Sequence, residues 1–304
     1  MNPNDYIKLD ERFRYERHAY DKGPGWDPEL IVELISKPTD IETEGVNSLS
    51  DVELEIFHHK MVTIVEEARE VWASLSIADL AMSGDNSVSL FTPGGDLAVA
   101  STAIHFHNLL NYAQIKFILK YYRDNPSVGV KEGDVFFFNN PISGGVHAPD
   151  MFTAMPIFHE GILVSWAAVG AHQGETGAVS PGGYTPHAIT RFEEGLHIHG
   201  LKIGENYQLR QDVVDYMCGS VRNPFVLGND LRARMATCMR VEQRVKREVE
   251  KRGPAVIAGS LRRLILWSSQ LARQRLASLN DGVYRSVLFL SLIHLSEPTR
   301  PRLI

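Results

Sequence analysis

Apolar positions recur along this chain with two periods, and the switches between them mark its elements. From Leu54 the apolar residues Phe57, Met61, Ile64, Ala68, Val71 and Leu75 follow at alternating intervals of three and four, which predicts a helix with one continuous buried stripe. Ser50-Asp51-Val52-Glu53 supplies its start, because the Ser50 hydroxyl and the Glu53 carboxylate can reciprocally satisfy amides that a first turn leaves unpaired. Residues 87–91 and 97–101 are short apolar runs joined by Thr92-Pro93-Gly94-Gly95-Asp96, a hairpin turn by composition. Ile104-His105-Phe106-His107 then reads as extended, with Asn108 capping a helix through Leu110, Ile115, Ile118, Leu119 and Tyr122. In an extended segment His105 and His107 share one side.

Val135-Phe136-Phe137-Phe138 reads as a fully buried strand. Residues 152–158 and 162–169 are apolar runs on either side of His159-Glu160-Gly161 and predict a second hairpin with its tip near residue 160. Residues 191–204 read as irregular. Helices follow over residues 229–251 and 255–276, broken by Gly253-Pro254. The basic run Arg240, Arg244, Lys246, Arg247, Lys251 and Arg252 predicts a solvated helix face. Hairpins interleaved with packed helices give a mixed α/β fold, of the α+β kind.

The pattern divides the chain into residues 1–47, 48–290 and 291–304. The first part is dense in charge, turn formers and aromatics (Tyr6, Phe13, Tyr15, Tyr20, Trp26) and predicts an extended arm laid over the core, with one short helix over residues 28–35. The middle part holds the catalytic domain. The last part, from Ser291-Leu292-Ile293-His294 to Ile304, resembles the translated read-through of a sequencing adapter. It is expected to be non-native, with the natural protein continuing differently.

Composition narrows the function classes. The chain has 304 residues, 44% hydrophobic and 22% charged, with a formal charge of -6, so no basic field is present to hold nucleic acid. No apolar run reaches the roughly 18 residues of a membrane span, and the polar N-terminus lacks the apolar core of a signal peptide. Cys218 and Cys238 are too few for a disulfide framework, which suits a reducing cytoplasm and two small buried apolar side chains.

Candidate chemistry concentrates between Asn139 and Gly183. His147 and Asp150 form an H-x-x-D pair, and pairing the second hairpin about its tip sets residue 150 across from about 170 and residue 148 across from about 172. His147, Asp150 and His172 therefore converge at its open end, while His159 is left at the far tip. Two imidazoles and a carboxylate with open positions suit Mn(II), Zn(II) or Fe. Glu175, three residues beyond His172, is a candidate supporting group or extra ligand. Ser143-Gly144-Gly145 and Gly174 to Gly177 would let a substrate approach the backbone, or are simple turn formers.

Several separate motifs carry a resemblance. The run from Val135 through Asp150, Ala171-His172, Glu194-Gly195-Leu196, Val221-Arg222-Asn223-Pro224 and Gly228-Asn229-Asp230-Leu231 resemble the hydantoinase B/oxoprolinase family, in the family's order, over about residues 50–250. Within it the chain is most similar to the branch of acetone carboxylase alpha subunits. The resemblance implies a metal-containing subunit of a cytoplasmic, ATP-dependent complex that joins a small ketone to CO2 or bicarbonate, giving acetoacetate from acetone. It implies a hydantoinase A-type beta subunit that binds ATP, a small gamma subunit, and Mn(II) held by His147, Asp150 and His172. The absence of a phosphate-binding loop motif agrees with nucleotide chemistry in another chain. Many members have Asn-Asp-Pro where this chain has Asn139-Asn140-Pro141, so a charge at that position is missing. His105, His107 and Glu175 are candidates for proton transfer or orientation. An aromatic ketone carboxylase, an ATP-dependent hydantoinase or 5-oxoprolinase, and a non-catalytic scaffold subunit stay open as alternatives.

Overall fold

A computed structural model describes residues 27–102 and 104–285. The aromatic arm around Tyr6 to Trp26 and the tail expected to be non-native lie outside the described residues, as does any strand after residue 285. The chain divides into two compact units, Met1–Leu266 and Trp267–Ile304, and everything that bears on the site belongs to the first.

Asp27 caps α1 (Pro28–Val32), with its carboxylate accepting from the Glu29 amide, and Thr39 opens α2 (Asp40–Gly45), a short helix that the pattern did not predict. The helix α3 (Asp51–Leu75) starts where expected, with both halves of the Ser50–Glu53 capping box formed. Its buried side drifts from the predicted stripe: Leu54, Phe57, Met61, Ile64 and Ala68 are buried, but the line ends on Trp72 while Leu75 is exposed. A strict interval of 3.5 residues slips around a straight helix of 3.6, so the last turn presents the next residue along. The short α4 (Asp79–Met82) leads to β1 (Asn86–Phe91) and β2 (Leu97–Ala100), the predicted first hairpin.

Next comes α5 (His105–Tyr121), which starts at His105 with Ile104 as its cap residue, not at Asn108. Packing of this helix on the sheet overrides the capping preference of Asn108. The expected extended segment is thus a first helical turn, and positions 105 and 107 lie roughly 200° apart around its axis instead of on one side. The strands β3 (Val135–Phe138), β4 (Asp150–His159) and β5 (Ile162–His172) follow the prediction. Residues 201–205, read from sequence as irregular, form β6 (Leu201–Glu205), which pairs with β3 and continues to β7 (Gln208–Leu209). After α6 (Gln211–Gly219) comes α7 (Pro224–Arg252), starting five residues before its predicted start because Asn223 accepts from the Val226 amide and Pro224 fits a first helical turn. α8 (Pro254–Ala277) completes the described helices. Among them none is long and apolar enough to cross a membrane.

The described strands make one seven-stranded sheet in the order β2-β1-β5-β4-β3-β6-β7, with every neighbouring pair antiparallel. Alternation along the strands sends side chains to two cores. Val135, Phe137, Met151, Met155, Ala167 and Val169 pack with α3, α6 and α7, while Phe136, Phe138, Phe152, Ala154, Trp166 and Ala168 pack with α5. Both faces are covered, which explains why these strands read as unbroken apolar runs. The predicted basic face of α7 is less solvated than expected: Arg240 and Arg244 pair with Glu67 of α3, and Lys246 pairs with Glu132 and Glu242. Cys238 is buried and Cys218 half-buried, both as free thiols.

Candidate metal centre

The long hairpin places the site, and its register differs from the simple count. A bulge between Ile157 and Phe158 shifts the pairing, so Asp150 faces His172 and Met151 faces Ala171. The His172 amide donates outward to the Asp85 carbonyl at 3.1 Å, and the Gln173 amide donates to the Pro149 carbonyl at 2.8 Å. Asp150 and His172 are therefore a non-hydrogen-bonded pair, the kind whose Cα atoms approach to about 4.5 Å and whose side chains lie close together. Even-numbered residues at this end point to the α5 face, where His107 lies in the first turn of α5.

His147 comes from the loop between β3 and β4, and two asparagines shape that loop. The buried Asn139 donates to the carbonyls of Ala148 (2.7 Å) and Leu196 (2.8 Å) and accepts from the Ile198 amide at 2.8 Å. Asn140 caps a single 3-10 turn, Pro141–Ser143, by accepting from the Ile142 amide at 3.1 Å. An uncharged side chain does this as well as a carboxylate would, so the missing Asp costs the turn nothing. Gln114 of α5 donates to the Ser143 carbonyl at 2.6 Å and ties the loop to the helix.

The result is a tight convergence on one oxygen. Asp150 Oδ1 lies 3.1 Å from His147 Nε2, 3.2 Å from His172 Nδ1 and 3.2 Å from His107 Nε2. His147 Nε2 and His172 Nδ1 are themselves 3.2 Å apart. Atoms bound at about 2.1 Å to a shared ion lie about 3.0 Å apart at a right angle and about 3.4 Å apart at the tetrahedral angle. The spacing of His147, Asp150 and His172 is thus that of ligands around one ion, and the three form a group able to hold a metal. Burial opposes ionisation of Asp150, but hydrogen bonds from His107, His147 and His172 outweigh it and hold the carboxyl far below its usual range. Burial likewise opposes a charge on His147, and the hydrogen bond and charge of Asp150 win, raising its pKa.

Sequence reasoning missed Asp85. One residue ahead of β1, its Oδ1 lies 3.6 Å from His107 Nε2 and its Oδ2 3.9 Å from His172 Nδ1. The pairing of Asn86 with Ala171 carries it there. No motif in the sequence marks Asp85, and the pairing of β1 with β5 is needed to place it. His107, expected only in support, contacts the central carboxylate. Glu175 does not join this cluster: its carboxylate accepts from the Gly177 amide at 2.6 Å and pairs with Arg222 at 2.9 Å. The side chain of His105 is outside the described set. His159 sits at the opposite end of β4, paired with Ile162.

Two glycines let the walls close. A Cβ on Gly170 would come within 2.6 Å of the Phe152 ring and 3.0 Å of His107 Cβ, so its absence lets α5 lie against the sheet beside the site. Gly183, at φ +73°, passes over His172 where a Cβ would be 3.1 Å from Nε2. Beside this loop is a cavity of about 430 Å³ lined in part by Ile77, Gln173, Gly174, Glu175, Gly182 and Leu227. The Oε1 of buried Gln173 has no protein partner there.

A buried carboxylate ringed by three imidazoles, at the open end of a hairpin in an antiparallel sheet covered by helices, defines a mixed α/β protein with a candidate metal centre. Residues 50–297 match the Hydantoinase B/oxoprolinase family, and the chain belongs to it. It is 34% identical over 257 residues to the acetophenone carboxylase delta subunit of Aromatoleum aromaticum, covering 84% of this chain and 37% of that one. It is 31% identical over 191 residues to the acetone carboxylase alpha subunit of Xanthobacter autotrophicus, covering 62% of this chain and 24% of that one. The solved nucleotide-free structure of acetone carboxylase superposes with a TM-score of 0.64 at 27% identity, over 70% of this chain and 29% of its own. The chain thus spans between about a quarter and two-fifths of the length of these relatives, which are subunits of carboxylases.

Proposed function

We propose that this chain is part of the carboxylating subunit of an ATP-dependent ketone carboxylase, with acetone as substrate and acetoacetate as product. The observation that carries this reading is the convergence of His107, His147 and His172 on one Asp150 oxygen in a chain similar to two ketone carboxylase subunits. His147, Asp150 and His172 would hold the ion, with Asp85 as a further donor. Imidazole and carboxylate together suit Mn(II), and also Zn(II) or Fe. When bound, the ion supplies Lewis acidity toward a developing oxygen charge.

This chain's own residues do the rest. Asp150, kept ionised by hydrogen bonds from its three histidines, would offset part of the ion's charge and orients the imidazoles. Carboxylation of a ketone breaks a C–H bond next to the carbonyl and forms a C–C bond to CO2, so a group must accept one proton. His107, His105 and Glu175 are the candidates. The cavity lined by Gln173, Glu175 and Gly182 has room for a small ketone. Binding and hydrolysis of ATP would belong to a hydantoinase A-type beta subunit, with a small gamma subunit completing the assembly.

An aromatic ketone is the second reading, favoured by the longer match to the acetophenone carboxylase subunit. The test is ATP-dependent consumption of acetone, acetophenone, hydantoin and 5-oxoproline by the full-length complex, alongside its metal content. Bicarbonate-dependent loss of acetone with about one metal per chain supports the proposal. Loss of a cyclic amide alone, or activity without metal, overturns it.

A further inference from the structure

Arg234 of α7 is fully buried, yet among the described residues no carboxylate comes within ion-pair distance of it. Its partners are backbone carbonyls. Nη1 donates to the Met151 carbonyl and, at 3.5 Å, to that of Val169, while Nη2 donates to the Ala171 carbonyl at 3.1 Å. Its planar head lies 4.9 Å from the centre of the Trp72 ring, and Nε has no partner. Burial pulls the guanidinium down to about 10, and the charge of Asp230, one turn earlier on α7, works against that shift. At neutral pH it is still a cation. Taking such a group out of water is costly, and packing alone would be served better by a hydrophobic side chain.

The location of those carbonyls gives the residue a use. Met151 follows Asp150, Ala171 precedes His172, and the two face each other across the hairpin. Asp150 and His172 project to the α5 face, whereas Arg234 approaches from the α7 face. We propose that Arg234 is a positioning residue for the metal centre: by holding Met151 and Ala171 together from behind, it fixes the spacing at which Asp150 and His172 leave the sheet. Its cation also lies near enough to Asp150 for the two charges to attract through the sheet. One element, α7, thus sets both the core on one face and the ligand geometry on the other. The inference rests on the reading of the cluster as a metal centre.

The test uses the assembled complex, stripped of metal and titrated with Mn(II) alone, with free ion followed by electron paramagnetic resonance. Arg234→Met should weaken Mn(II) binding roughly 10- to 100-fold, the range for supporting groups around ligands. Arg234→Lys, which keeps the charge and some donors, should recover part of that loss. Val241→Ala, a core change on the same helix, serves as the control for general loosening: at an equal fall in melting temperature it should leave affinity unchanged. If Arg234→Met does not fold, the comparison of Arg234→Lys with Val241→Ala decides the matter, since only the former alters the carbonyl clamp. Unchanged affinity in a folded Arg234 variant, or an equal loss in Val241→Ala, overturns this inference and leaves the metal reading intact. Absence of Mn(II) binding by the wild type, or binding indifferent to His147→Ala, overturns both.

Discussion

Arg234 and Arg262 are both buried, at 0% and 1% exposure, but their surroundings answer their charges in opposite ways. Arg262 of α8 meets carboxylates: Glu42 of α2 at 3.0 Å and Asp96 of the first hairpin turn at 2.6 Å. Asp96 in turn holds Lys116 of α5 at 2.8 Å and accepts from the Ser36 amide at 2.9 Å. Two cations and two anions so balance, and residues 36–42 are tied to the turn and two helices. Arg234 donates only to carbonyls, those beside the candidate ligands, and lies against the Trp72 ring. A buried charge that is neutralised joins segments together, whereas one met only by dipoles is free to act on a nearby site.

That contrast can be broken experimentally. The largest effect is expected at Arg262→Met, which leaves Glu42 and Asp96 buried without their cation and should cost about 3–5 kcal/mol in chemical denaturation. Mn(II) affinity of the folded fraction should not change; a parallel fall in affinity would remove the distinction between the two arginines. Next, Asp150→Asn should reduce Mn(II) affinity by at least about 100-fold, or about 2.7 kcal/mol, because the group on which three imidazoles converge loses its charge. Isothermal titration with the metal checks this.

The pH dependence is smaller and has a definite sign. The raised pKa of His147 means that, without metal, protonating it contributes stability that is complete below the ordinary histidine value near 6.5 and is lost as pH rises through the folded value. A metal requires the neutral imidazole, which reverses the sign. The stability gap between metal-loaded and metal-free protein in chemical denaturation should therefore widen with rising pH across this range, by about 1.4 kcal/mol per pH unit for one displaced proton. A gap independent of pH would remove His147 from the ligand set. The smallest effect is expected at Ser50→Ala, which removes the side-chain cap of α3. It should cost about 1 kcal/mol of stability and leave Mn(II) binding unchanged.

Local chemistry is what the sequence could determine. The start of α3, the two hairpins, the buried Phe136 strand and the break at Gly253-Pro254 all follow from caps, turn residues and periodicity, which act over a few residues. The convergence of His147, Asp150 and His172 was legible for the same reason, since one hairpin brings them together. Its register was not, because the bulge between Ile157 and Phe158 shifts the pairing and no turn residue there announces it. Asp85 and His107 join the cluster only when β1 pairs with β5 and α5 packs across the other face. Arg234 reaches it through the sheet from α7. Those approaches join residues 22 to 87 positions apart in the chain from His172 and Asp85, and no local spacing rule encodes them. The hairpin motif could therefore name three candidate ligands, while only the layering of helices on both faces decided what surrounds and holds them.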